Sequence, residues 1–121
     1  MTAAATATGV DSFIAGLQRC GVNATVNTAG IVVFTVVAAG RSQLITTHTG
    51  VAAVELQAWP AVPPHWVHFP DTVRFASTNS RQDETLPGWT RHSRQVNGWG
   101  DAQEPAQAWL AHLSRILQDA A

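Results

Sequence analysis

The sequence predicts an α+β fold in the order N-terminal helix, four-stranded antiparallel meander, proline-rich arm and loop, C-terminal helix. Three observations predict it. Apolar residues recur at helical spacing near both ends of the sequence, a β-branched run with hairpin-sized connections fills the middle, and Pro60, Pro63, Pro64 and Pro70 lie close together between them. A chain of 121 residues suits one domain, and one of this size buries roughly two-thirds of the surface its unfolded form exposes. The expected organisation is a flexible N-terminal tail over residues 1–10 and a single domain over residues 11–121.

Asp11 is placed to cap the first helix, Phe13, Leu17 and Cys20 recur at i, i+4 and i+7, and Gly21 supplies the stop. Residues 24–28 read as a short strand, followed by a turn at Ala29-Gly30. Residues 31–37, Ile-Val-Val-Phe-Thr-Val-Val, show no alternation and read as a buried central strand. Gly40-Arg41 turns the chain into a strand over 43–48, and Gly50 into another over 51–59. The prolines that follow each remove an amide donor and disfavour helix before them, so this arm is extended. Residues 72–75 read as one more short strand, and residues 76–88 as a polar, turn-rich loop of the kind that carries function or moves. Pro105 fits the first turn of the last helix, whose stripe is Trp109, Leu110, Leu113, Ile116 and Leu117, with His112, Arg115 and Asp119 facing away.

Composition narrows the function classes. The net charge is −1, and the seven basic residues are all arginine and do not cluster, so the electrostatic footprint of a nucleic-acid binder is missing. The single cysteine, Cys20, excludes an intramolecular disulfide and any multi-cysteine zinc site. Its place on the apolar stripe of the first helix marks it as a buried structural cysteine rather than a reactive thiol. The start of the sequence lacks the basic segment and long apolar run of a signal peptide, and no window approaches the ~18 apolar residues of a membrane span. A cytoplasmic protein with no membrane contact is expected.

Chemistry concentrates between Trp89 and Asp101, where Trp89-Thr-Arg91-His92-Ser93-Arg94 is followed by Trp99 and Asp101 in a Gly-rich connection. A serine hydroxyl becomes a nucleophile only when a positioned base takes its proton. In an extended segment His92 and Ser93 point to opposite sides, so the base has to come from elsewhere, with His65 and His68 the candidates. The alternative is that Ser93 bonds locally to backbone while Arg91 and Arg94 hold loops. His48, His65, His68 and His92 are potential metal ligands, but the His65–His68 spacing places the two on opposite faces of a strand and no third ligand is evident. No metal and no cofactor are expected. Among the five tryptophans, Trp109 reads as core, and Trp99, between Gly98 and Gly100, as an exposed binding anchor.

These residues resemble a known family. The order of elements resembles the ubiquitin-conjugating-enzyme (UBC-like) fold. Trp89-x-Arg91-x-Ser93-Arg94, then Trp99 ahead of Asp101, then Trp109-Leu-Ala-His-Leu113 resemble the prokaryotic ubiquitin-conjugating-enzyme-like family E. Upstream, Trp59-Pro60, Pro63-Pro64 and Phe69-Pro70-Asp71 are similar to that family's proline arm, and the resemblance covers roughly residues 31–117. It implies a role in a bacterial ubiquitin-like conjugation system, with a ubiquitin-like protein, its activating enzyme and a JAB-type metalloprotease of the same operon as partners, and antiphage defence as the setting. The loop before the last helix has no cysteine to form a thioester, and Gln95 stands where the family's pattern continues with histidine. Two functions follow from the resemblance. In one, Ser93 carries the modifier as an oxyester, with Arg91, Arg94 and His92 as the surrounding catalytic residues. In the other, the protein is an inactive adaptor that binds the ubiquitin-like protein or the activating enzyme through Trp99, Trp89, Asn79 and His68.

Overall fold

The computed structural model describes residues 9–75, 82–86, 88–93, 96, 99 and 104–120, with residues 82–86 and Ser93 described by their backbone. Its class is α+β. The elements run α1 (Gly9–Arg19), β1 (Ala24–Val26), β2 (Ile31–Ala39), β3 (Leu44–Ala52), a 3-10 turn (Ala53–Leu56), β4 (Trp66–Pro70), β5 (Gln82–Leu86), β6 (Trp89–Ser93) and α2 (Pro105–Leu117). The strands form one six-stranded sheet in the order β1-β2-β3-β4-β6-β5, antiparallel at every junction. Among the described residues no helix is long and apolar enough to cross a membrane.

Helix α1 carries Asp11 in its first turn and Arg19 in its last, each of the sign that the helix dipole favours. It stops as a Schellman motif: Gly21 takes φ +82°, and the Val22 amide reaches back to the Leu17 carbonyl at 2.8 Å. Phe13, Gly16 and Leu17 turn inward. A Cβ on Gly16 would stand 2.8 Å from Cβ of Ala106 on α2, so the glycine is what lets the two helices approach. Glu104 caps α2 by accepting from the Ala106 amide and is held from outside by Arg19, whose Nε and Nη2 donate to its two carboxylate oxygens at 2.9 and 3.1 Å.

The core lies between the helices and one face of the sheet. Val32, Phe34, Val36 and Ala38 of β2 point into it with Val51, Val67 and Phe69 of the neighbouring strands and with Leu113, Ile116 and Leu117 of α2. Trp59 stands at its centre, packed edge-on against Phe13 (4.8 Å between ring centroids) and Trp109 (6.4 Å). Its carbonyl accepts from Gly9 at 3.1 Å, and the Trp59–Pro60 peptide is cis.

Several expectations are corrected. The sheet has six strands and not four. Residues 44–52 form one unbroken strand through Gly50, because Gly50 pairs with Val33 instead of turning the chain. Residues 53–59, expected as strand, form the 3-10 turn and its continuation, which swings Leu56 and Trp59 into the core. The fourth strand of the meander comes instead from the proline arm, whose Pro70 sits at the strand's last position, where a missing amide costs least. The hairpin β5–β6 arises from residues read as loop. Strand β2 is buried along its inner face, while its outer face is buried only at Ile31 and leaves Val37 61% exposed. Phe75 makes an isolated bridge to Ala120 in place of a strand over 72–75. His112, expected to face away, is 5% exposed, with its ring against Trp109, because the buried arc of α2 is wider than its aliphatic stripe. Cys20 is half-buried at the end of α1. The expected tail covers residues 1–10. Of these, Gly9 and Val10 are helical, and residues 1–8 lie outside the described residues.

Candidate functional site

Strands β4 and β6 are neighbours, in the register Trp66–Ser93, Val67–His92, His68–Arg91, Phe69–Thr90 and Pro70–Trp89. Strand alternation therefore divides the predicted site residues between the two faces of the sheet. Trp66, His68, Arg91 and the Ser93 position belong to the outer face, and Val67, Phe69, Thr90 and His92 to the inner one.

On the outer face the guanidinium carbon of Arg91 lies over the Trp66 ring, 4.2 Å from its centroid, a cation–π contact. His68 stands opposite Arg91 and is 2% exposed. Its Nδ1 is 3.3 Å from the Gly50 carbonyl, which can only accept, so Nδ1 carries the proton and Nε2 the lone pair. Burial lowers the His68 pKa from its ordinary value; the Gly50 bond opposes the shift, and the charge of Arg91 adds to it. On balance these causes favour the neutral imidazole. The Thr49 hydroxyl donates to the His68 carbonyl at 2.9 Å and ties this strand to β3. Ser93, two register pairs along, is the diagonal neighbour of His68, a relation that spans about 7–8 Å in an antiparallel sheet.

On the inner face His92 is 6% exposed, its ring 4.9 Å from Phe75 and 6.0 Å from Phe69. Beside it opens a cleft of about 400 Å³ lined by Pro70, Asp71, Val73, Arg74, Phe75, Thr90 and His92. Thr90 donates its hydroxyl to Asp71, whose amide in turn bonds the Gly88 carbonyl at 2.8 Å.

The structure thus brings the Ser93 position, His68, Arg91 and Trp66 together and assigns His92 elsewhere. Two residues expected to meet a partner take other positions. Trp99, expected as an exposed anchor, is half-buried: its Nε1 donates to the Pro60 carbonyl at 2.9 Å and its ring stands 5.3 Å from Trp59. The flanking glycines suggested a loose tip, but an indole with a carbonyl and a second indole in reach gains more by packing. His68 presents almost no surface to a partner, because it lies in the middle of a sheet row. Trp89 is half-buried opposite Pro70. Arg94, Asn79 and Asp101 lie outside the described residues. Among the described residues no three His, Cys, Asp or Glu side chains gather in a way that could hold a metal ion.

Sequence reasoning missed Glu55, whose carboxylate accepts from the His65 and Trp66 amides at 3.1 and 3.2 Å and anchors the start of β4. It also missed the cleft. The only signal for that was Pro70-Asp71, a turn pair. No family model matches the sequence, nor does any curated protein or solved structure.

Proposed function

We propose that this protein is a UBC-like member of a bacterial ubiquitin-like conjugation system, acting in the cytoplasm and carrying the modifier as an oxyester on Ser93. The observation that carries the reading is the diagonal placement of Ser93 and His68, with the His68 proton on Nδ1 and its lone pair on Nε2. The α+β class and the Trp89-to-Leu113 motif of the sequence support it. In the loading step the Ser93 hydroxyl oxygen attacks the thioester carbonyl that joins the modifier's C-terminus to the activating enzyme. A C–O bond forms, the C–S bond breaks, and the hydroxyl proton passes through His68 to the departing thiolate. The Arg91 charge, and that of Arg94 in the same motif, favour the oxyanion. A JAB-type metalloprotease is the partner that reverses the modification, and antiphage defence is the proposed setting.

A second reading, an adaptor without chemistry, is favoured by one observation: the outer face of β2 and β3 leaves Val37 and Leu44 61% and 73% exposed, an apolar surface that a partner protein would cover. One experiment separates the two. The protein is incubated with the activating enzyme, the processed modifier and ATP, and its intact mass is measured beside Ser93→Ala. An alkali-labile mass gain absent from Ser93→Ala is the carrier's result. Complex formation without mass gain, weakened by Leu44→Ser, is the adaptor's.

A further inference from the structure

The cleft on the inner face takes no part in the loading step, yet its chemistry is specific. Asp71 and Arg74 both line it, and no ion pair joins them among the described residues. Asp71 is oriented by the Thr90 hydroxyl and by its own amide bond to Gly88, so its carboxylate is held in place while remaining exposed. Arg74 is exposed and has no hydrogen-bond or ion-pair partner among the described residues. Beside these charges lie Pro70, Val73, the Phe75 ring and the His92 ring, the last two packed edge to face at 4.9 Å. An acid and a base left apart in one walled cleft call for a ligand that carries both charges close together and an apolar group beside them.

We propose that this cleft binds a free α-amino acid with a large apolar or aromatic side group. Asp71 takes the ammonium, Arg74 the carboxylate, and the side group packs against Val73, Phe75 and His92. A volume of about 400 Å³ falls within the range of small-molecule sites. The amino end of a peptide would offer only the ammonium and its carboxyl end only the carboxylate, so the zwitterion is what distinguishes a free amino acid from a peptide terminus. The inference stands apart from the conjugation reading.

The test is calorimetry with L-phenylalanine, L-phenylalaninamide and N-acetyl-L-phenylalanine, with amide NMR shifts to locate the contact. The expected result is saturable binding of L-phenylalanine, shifts centred on Asp71, Arg74 and Thr90, and affinity about tenfold or more weaker for each analogue that lacks one charge. Asp71→Asn, which keeps an oxygen for Thr90, and Arg74→Gln should each bring L-phenylalanine down to the level of the matching analogue. No saturable binding at millimolar concentration, equal binding of either analogue, or shifts elsewhere on the molecule would overturn the proposal.

Discussion

His68 and Arg91 face each other directly across β4 and β6, and the arginine whose charge acts on the imidazole lies over the Trp66 ring. A potential cation and a fixed cation share one sheet row, which runs on to Gly50 and Val33 on one side and to the Asp83 register position on the other. The arrangement favours a neutral histidine.

It follows that His68 titrates below its ordinary value of 6.5. Because the folded pKa lies under the unfolded one, the native state resists protonation, so the stability contribution is complete above about pH 6.5 and is lost as pH falls through the lowered value. Arg91→Gln removes the smallest of the named causes and should move the His68 titration part of the way back up. Imidazole proton shifts followed through a pH titration check both statements.

Replacing His68 by Gln keeps a donor for the Gly50 carbonyl and removes the lone pair proposed to take the Ser93 proton. Loading is expected to slow by roughly a hundredfold, within the range of general-base effects. Single-turnover mass spectrometry measures the rate, and loading at the wild-type rate in His68→Gln would remove this residue from the mechanism.

Gly16→Ala tests the helix contact. Alanine is the better helix former by about 1 kcal/mol, but its Cβ would lie 2.8 Å from Cβ of Ala106. Overpacking of this kind costs about 1–3 kcal/mol, so the net effect is expected to be destabilising, and adding Ala106→Gly to that variant should restore stability. Urea unfolding of the two single variants and the double variant completes the thermodynamic cycle.

Glu104→Ala removes the α2 cap and the Arg19 bridge together. The Arg19 hydrogen bond holds the Glu104 carboxyl below its usual range, so its contribution is present above the unfolded pKa and lost as pH falls through the depressed value. A loss of about 1 kcal/mol at neutral pH is expected, mainly from the cap, since the pair is solvent-exposed. The difference from the unmodified protein should shrink in acid denaturation curves.

Trp99→Ala deletes the Pro60 hydrogen bond and the contact with Trp59. A cost of about 2 kcal/mol is expected for a half-buried indole, seen as a lower thermal midpoint. Any loss of partner binding in that variant has to be read beside its stability, which makes Leu44→Ser the cleaner probe of the adaptor reading.

What could be read from residues alone was local and periodic. The two helices, the Gly21 stop, Pro105 at the start of α2 and the β2–β3 hairpin each follow from a dihedral preference or a short repeat that belongs to a few consecutive residues, whereas the proline arm is extended only over Trp66–Pro70 and opens with a turn closed by the Val62 amide on the Ala58 carbonyl. The alternation of His92 and Ser93 was also legible, because it needs only the knowledge that the segment is extended. Which strand lies beside which was not. Trp66–Pro70 became the fourth strand, and Trp89–Ser93 slipped between it and Gln82–Leu86, because pairing depends on hydrogen bonds between segments remote in sequence. That pairing alone set His68 diagonal to Ser93 and turned His92 toward the cleft, while packing against Trp59 drew Trp99 onto Pro60. The sequence by itself determined the two helices, the first strands and the chemistry available to them; the tertiary structure decided the remaining strands and which side chains meet, since register and packing are properties of segments brought together and of no segment alone.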